Sequence, residues 1–235
     1  MQRVLAGPKK RGKVLSPEER KRAAYHESGH AIVAAAAGRL EEVHRVSILA
    51  RGRGVGMTGI VKDSDATLLT KSQLFSQLVT AMGGLAAEEL MFGELSTGAE
   101  QDLEQATELA RDMIGRFGMG TRRRRLLSKE SEGFLGDEAA LAQISSQTHH
   151  EMENEIDRLI EEAEQEASRL LLQHRDMLDT LATRLEDEET LEGPDLEGVL
   201  ALVRPEVSLF GGLVEEPEGN GASTRKKTSS KTGSK

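Results

Sequence analysis

The sequence predicts a mainly α-helical fold with a small β-sheet near its beginning and a long helical region toward its C-terminus. Three observations carry this. Aromatic residues are scarce, with five Phe, one Tyr and no Trp, so the apolar content is built on Leu, Ala, Met and Ile, which suits helices better than a β-sandwich. Apolar residues recur at three- and four-residue spacing over several long stretches. One early stretch, 43–61, abandons that period and interleaves Val43, Val46, Ile48, Val55 and Ile60 with polar residues and glycine, the pattern of two or three short strands.

The elements follow in order. Residues 1–15 are basic, contain Gly7, Pro8 and Gly12, and read as a connector. Ser16-Pro17-Glu18-Glu19 is a helix start: Ser16 caps, Pro17 suits the first helical position and Glu19 completes a capping box. This helix is expected to run to Ala37, with Gly38 as its stop, and its second half, Ala31 to Ala37, is small and apolar all round, which implies burial. Within the strand region, Arg51-Gly52-Arg53-Gly54 is the expected turn. A second helix is expected from Thr70 to Gly93, with Leu74, Leu78, Met82, Leu85 and Leu90 on its apolar face. A third is expected from Thr97-Gly98 to Gly118, with Leu103, Ala106, Ala110, Met113, Ile114 and Phe117 as its stripe. A long fourth helix is expected from about Glu138 to Leu172, a fifth over Arg175–Glu186 and a short one after Pro194. Residues 206–235 are expected to be a disordered tail, dominated by Gly, Ser, Thr and Lys from Gly211 onward. The folded domain is thus placed at 16–205.

Composition narrows the function. The formal charge of −9 argues against a nucleic-acid-binding protein. Basic residues gather at the two ends, where a solvated tail accounts for them, and in the run Arg122–Arg125, which reads as a charged loop. No run of about 18 apolar residues occurs, so no segment is predicted to span a bilayer. The N-terminus has no apolar core of a secretory signal. On these grounds the chain is expected to be soluble and cytoplasmic. Cysteine is absent, which excludes disulfides and thiolate metal sites, so any metal must be held by His, Asp or Glu.

Six histidines are present, and two of them stand in His26-Glu27-Ser28-Gly29-His30. Residues four apart share one helix face, so His26 and His30 can present two imidazole nitrogens to one ion. Glu27 follows the first of them and lies beside the metal without binding it. Zinc lowers the pKa of a water toward ~7, and a neighbouring carboxylate can take its proton during attack on a carbonyl. This is the H-E-x-x-H pattern of zinc peptidases. A catalytic zinc needs a third protein ligand and an open position. The metzincin extension would put His at position 36, where Ala36 stands. His44 falls in the expected sheet, His149 and His150 on an acidic helix and His174 at a helix junction. Two acidic candidates remain at this point: Glu88-Glu89 late in the second helix, and Asp102 early in the third.

Ala24-Tyr25-His26-Glu27-Ser28-Gly29-His30-Ala31 resembles the start of the peptidase domain of FtsH, the family of AAA-type ATP-dependent zinc metalloproteases. The family usually has Ala where this chain has Ser28. Val43-His44-Arg45-Val46-Ser47-Ile48, Arg51-Gly52-Arg53 and Gly56-Met57-Thr58 resemble its small sheet. Gly83-Gly84 with Ala87-Glu88-Glu89 resembles its second block, and Ser96-Thr97-Gly98-Ala99-Glu100-Gln101-Asp102, followed by Ala106-Thr107 and Ala110-Arg111, its third. The resemblance covers residues 1–205. It implies Zn2+ as cofactor, Asp102 as the third ligand beside His26 and His30, Glu27 as the catalytic carboxylate, and Glu88 bound to a ligand histidine from outside the metal, with Glu88 as a direct ligand the runner-up. It implies an exposed sheet edge, here Val55, Gly56, Met57 and Thr58, that pairs with an extended polypeptide substrate. It also implies a homohexamer, an AAA ATPase module in a longer parent chain, and a place at the cytoplasmic face of a membrane through a segment outside this sequence.

Gly7-Pro8-Lys9-Lys10-Arg11-Gly12-Lys13-Val14 nearly spells a P-loop, but it lacks the Ser/Thr that would hold magnesium and no strand precedes it. By resemblance it is the connector leaving the ATPase module. The expected function is therefore a zinc-dependent endopeptidase acting on unfolded or membrane proteins. The alternative is a non-catalytic hexameric assembly module that keeps the fold, and the intact Glu27 speaks against it.

Overall fold

The computed structural model describes residues 15–49, 57–60, 68–126 and 145–205. The first helix, α1 (Pro17–Ala36), starts as its residues dictate. Ser16 Oγ accepts from the Glu19 amide at 3.2 Å, the Ser16 amide donates to Glu19 at 2.9 Å, and Pro17 sits in the first turn. Gly38, at φ 75°, lets the chain turn away just beyond the helix. Every residue from Ala24 to Ala36 is buried. Thus α1 is a central helix, and the small residues of its second half are what a helix surrounded by neighbours requires.

A 3-10 turn (Leu40–Glu42) leads into β1 (Val43–Ser47). β1 pairs antiparallel with β2 (Met57–Ile60), with Val46 opposite Thr58 and Ser47 opposite Met57. Its other edge pairs antiparallel with β3 (Thr190–Glu192), with Val46 opposite Leu191. The sheet order is β2-β1-β3: β1 and β2 come from the early stretch expected to hold two or three strands, and β3 joins them from far along the chain. Three residues are too few to carry an alternating pattern, and β3 is defined by its pairing with β1. The expected Arg51–Gly54 turn lies outside the described residues.

The second helix, α2 (Lys71–Phe92), opens with a capping box between Thr70 and Gln73 and stops at Gly93, φ 70°. It crosses α1 at very short range. A Cβ on Gly29 would lie 2.6 Å from Ala87 Cβ and closer still to the Gly83 carbonyl oxygen, and one on Gly83 would lie 2.9 Å from the Gly29 oxygen. Only paired glycines permit this backbone-to-backbone contact.

A 3-10 turn (Thr97–Ala99) opens α3 (Glu100–Arg111), which widens into a π-helical turn over Asp112–Arg116. The helical run thus fills the interval expected from Thr97-Gly98 to near Gly118, but its expected apolar stripe is only partly buried. Ala106, Ala110, Met113 and Ile114 are buried, but Leu103 is 41% and Phe117 49% exposed. The wider turn rotates Phe117 off the buried face, and Leu103 shares a partly solvent-facing first turn with Asp102. The amphipathic α4 (Ser146–Gln173) is capped by Ser145 and buries Met152, Ile156, Leu159, Ala163, Ala167, Leu170 and Leu171. It begins after the expected start near Glu138, and residues 127–144 lie outside the described residues. α5 (Arg175–Glu188) and the short α6 (Pro194–Leu200), with Pro194 in its first turn, complete the described helices. Arg122 and Arg124 of the basic run pair with Glu151 of α4 at 2.8 and 3.4 Å, so that run has partners within the chain. The expected connector 1–15 and tail 206–235 lie outside the described residues, Leu15 excepted. No helix among the described residues is long and apolar enough to cross a membrane.

Two adjacent positions give opposite predictions. Ser28 Oγ is buried without a hydrogen-bond partner among the described residues, so Ser28→Ala should stabilise the fold by about 1 kcal/mol, removing an unsatisfied hydroxyl and improving helix propensity. Gly29→Ala should destabilise it by about 1–3 kcal/mol or more through overpacking against α2. Urea unfolding of the two variants checks both, and a Gly29→Ala protein as stable as the parent would contradict the α1–α2 geometry.

Candidate metal centre

The i, i+4 spacing on α1 sets the His26 and His30 rings side by side, with centroids 4.8 Å apart. Both rings are buried, and each Nδ1 has its own partner on α2. His30 Nδ1 lies 2.8 Å from the Thr80 carbonyl oxygen. A carbonyl only accepts, so His30 Nδ1 carries the proton and Nε2 is left with its lone pair. His26 Nδ1 lies 2.9 Å from Glu88 Oε1, which fixes the same orientation. The two Nε2 atoms come within 3.2 Å of each other. Asp102 closes the group from α3, with Oδ2 3.0 Å from His26 Nε2 and Oδ1 3.4 Å from His30 Nε2. One ligand atom from each of His26, His30 and Asp102 lies within 4.8 Å of the others.

Two imidazole lone pairs and a carboxylate aimed at one point repel unless a cation stands among them. Without a metal, a proton takes that part. Burial disfavours the charged ring, but the bonds to Asp102 and Glu88 outweigh it and push His26 up to about 10 from an ordinary 6.5. Burial would raise Asp102, yet its bonds to His26 and His30 hold it well below the usual carboxylate range. Glu88 is likewise lowered against its burial by His26, Ser96 and Arg22. The donor set of two nitrogens and a carboxylate oxygen, with both outer nitrogens already satisfied, fits a divalent metal such as zinc.

The glycine crossing makes this possible. It brings α2 close enough for Thr80 and Glu88, two turns apart on one face, to reach the outer nitrogens. Gly84 faces the rings themselves, since a Cβ there would lie 2.5 Å from both His26 Cε1 and His30 Nε2. Glu88 is 1% exposed and takes four donors. Oε1 accepts from His26 Nδ1 and from Ser96 Oγ at 2.9 Å, and Oε2 accepts from the Ser96 amide at 2.8 Å and from Arg22 Nη1 at 3.1 Å. Ser96 then caps the turn that delivers α3 and Asp102. Glu27 is buried beside His26.

The structure therefore brings His26, His30 and Asp102 together and sets Glu88 on the far nitrogen of His26. Glu89 is exposed, and His44, His149, His150 and His174 stand on other elements, outside the group. Met57 and Thr58 lie in β2, an edge strand of the described sheet, while Val55 and Gly56 lie outside the described residues. Sequence reasoning missed Thr80, Ser96, Gly84 as a ring neighbour, and Arg22. Thr80 acts through its carbonyl, which leaves no trace in residue identity. Arg22 stands four residues before His26 on the same face, and that spacing was the available signal.

Folded-state protonation of His26 gives a pH prediction for the metal-free protein. Its raised pKa stabilises the fold fully below about 6.5, and that contribution is lost as pH rises through about 10. Unfolding midpoints of metal-free protein should fall over this window, and saturating divalent metal, which displaces the proton, should flatten the slope. A pH-independent midpoint without metal would contradict the ring–carboxylate geometry.

Comparison with known proteins bears on the same residues. The profile of peptidase family M41 matches residues 13–199. The ATP-dependent zinc metalloprotease FtsH of Mycobacterium leprae is 43% identical over 213 residues, covering 88% of this chain and 27% of that protein. FtsH 1 of Thermomicrobium roseum is 43% identical over 218 residues, covering 92% of this chain and 33% of that protein. FtsH of Rhodococcus erythropolis is 41% identical over 213 residues, covering 88% and 25%. The chain thus spans about a quarter to a third of the length of these curated relatives. With the family profile matched across α1, the sheet and every later helix, this chain belongs to peptidase family M41.

Proposed function

We propose that the chain is the peptidase portion of an ATP-dependent protease, a zinc-dependent endopeptidase. The observation that carries this reading is the convergence of His26 Nε2, His30 Nε2 and the Asp102 carboxylate, with both histidine Nδ1 atoms already hydrogen-bonded. His26, His30 and Asp102 would hold zinc, and three protein ligands leave a position open for chemistry. When bound, zinc would supply Lewis acidity to the scissile carbonyl and acidify water. Glu27 then acts as the proton carrier. Its carboxylate takes a proton from the attacking water as the new C–O bond forms, and returns it to the amine nitrogen as the C–N bond breaks. Glu88 and the Thr80 carbonyl hold the two rings in the orientation this requires.

The substrate is an extended, unfolded polypeptide, including segments of membrane proteins, that adds as a strand to the edge at Val55, Gly56, Met57 and Thr58. The position of β2 at the side of the sheet away from β3 favours this. Names of the relatives specify ATP dependence. An AAA module in a longer parent would supply it, and homohexameric assembly at the cytoplasmic face of a membrane is part of the same proposal. A non-catalytic assembly module is not favoured, because such a module has no use for a buried carboxylate at Glu27 beside the histidine pair.

Zinc content and cleavage of an unfolded protein such as casein test the enzyme reading. Glu27→Gln should retain zinc and lose ~10²–10⁴-fold in cleavage rate. A Gln variant as fast as the parent, or a zinc-loaded parent that cleaves nothing even as an assembled ring, would sink it. For the ligand set, Asp102→Ala should lose zinc outright, whereas Glu88→Gln should weaken it by about 10–100-fold. Full zinc retention after loss of Asp102 would remove that residue from the site.

A further inference from the structure

Arg22 has no place in the chemistry above, yet it touches the metal centre's support at several points. It stands one turn before His26 on α1, so both side chains reach the same carboxylate from one helix face. His26 Nδ1 meets Glu88 Oε1, while Arg22 Nη1 meets Glu88 Oε2 at 3.1 Å. The same guanidinium reaches past the end of α2. Nη1 donates to the Glu94 carbonyl oxygen at 3.0 Å, and Nη2 to Glu94 Oε1 at 3.1 Å. Its flat face covers the Phe92 ring at 4.4 Å, and Phe92 in turn packs edge-on against Tyr25. The Arg22 side chain is only 18% exposed, which separates it from ordinary surface ion pairs.

These contacts converge on one segment. Phe92 ends α2, Glu94 and Ser96 lie in the link between α2 and α3, and Asp102 lies on the first turn of α3. Ser96 is anchored on Glu88 through both its amide and its hydroxyl. A guanidinium is rigid and forked, so it can hold a carboxylate and a backbone carbonyl in one fixed relation.

We propose that Arg22 is a positioning residue for the metal centre, clamping Glu88 to the α2–α3 link so that Asp102 arrives opposite His26 and His30. The inference rests on the reading of His26, His30 and Asp102 as metal ligands. Arg22 acts through Glu88 and the link, touching neither substrate nor metal. Its loss should leave the three ligand side chains present but less well placed relative to one another.

The test is zinc affinity by chelator competition, with the visible spectrum of the Co2+-substituted protein as a report on ligand geometry. Both are measured on the parent, Arg22→Met and Arg22→Lys, beside urea unfolding of the metal-free forms. Arg22→Met should bind zinc about 10-fold or more weakly, the range seen when groups that orient metal ligands are removed, and its Co2+ bands should shift. Arg22→Lys keeps the charge on Glu88 but cannot also hold Glu94, and should fall between the two. A merely structural arginine would lower the unfolding midpoint and leave zinc affinity and the Co2+ spectrum at parent values. That result in Arg22→Met, or in Arg22→Lys should the methionine variant not fold, overturns the proposal. A parent that binds no zinc would instead bring down the metal reading itself, and this inference with it.

Discussion

The crossing of α1 and α2 at Gly29 and Gly83 is the contact on which the rest of the site depends. Glycine in a helix interior costs about 1 kcal/mol relative to alanine, and here three glycines, Gly29, Gly83 and Gly84, accept that cost at one crossing. In return the two backbones touch. Thr80 and Glu88 are then within reach of the outer nitrogens of His30 and His26, and Gly84 leaves room for the rings. A wider crossing would leave both rings free to turn, and two histidines at helical spacing would be no more than a pair on a surface.

Electrostatics follows from that packing. Glu27, Glu88, His26 and His30 are all buried, and buried ionisable groups must be paired or neutralised. Glu88 is satisfied by four donors from α1 and the α2–α3 link. Among the described residues, the hydrogen-bond and ion-pair partners of the Asp102 carboxylate and the two Nε2 atoms are one another, which is the arrangement that calls for a cation. Orientation of the rings is thus secured from the protein side, and the inner face is left to the metal.

Much of this was legible in sequence where the signal is local. The capping box at Ser16, the helix start near Thr70 and the stop at Gly93 follow from side chains within one turn of the helix end, and the structure has them. The His26–His30 pair is a consequence of helical spacing. What was not legible is non-local. β3 is a strand because β1 lies beside it, and the π turn at Asp112–Arg116 interrupts a pattern that reads as one helix. Composition and spacing left Glu88-Glu89 and Asp102 as equal candidates for the third ligand, because no local rule relates a residue on α3 to one on α1. A resemblance across several ordered blocks distinguished them, and the structure places Asp102 on the ring nitrogens and Glu88 behind one of them.

The central claim is that His26, His30 and Asp102 hold one zinc ion with a position left open. A zinc-edge anomalous difference map of crystals grown from zinc-loaded protein tests it most directly. The account predicts a single strong peak about 2.0–2.2 Å from His26 Nε2, His30 Nε2 and an Asp102 oxygen, with Glu88 still bound to His26 Nδ1. A peak bound by Glu88, or no peak between the two histidines, would contradict it.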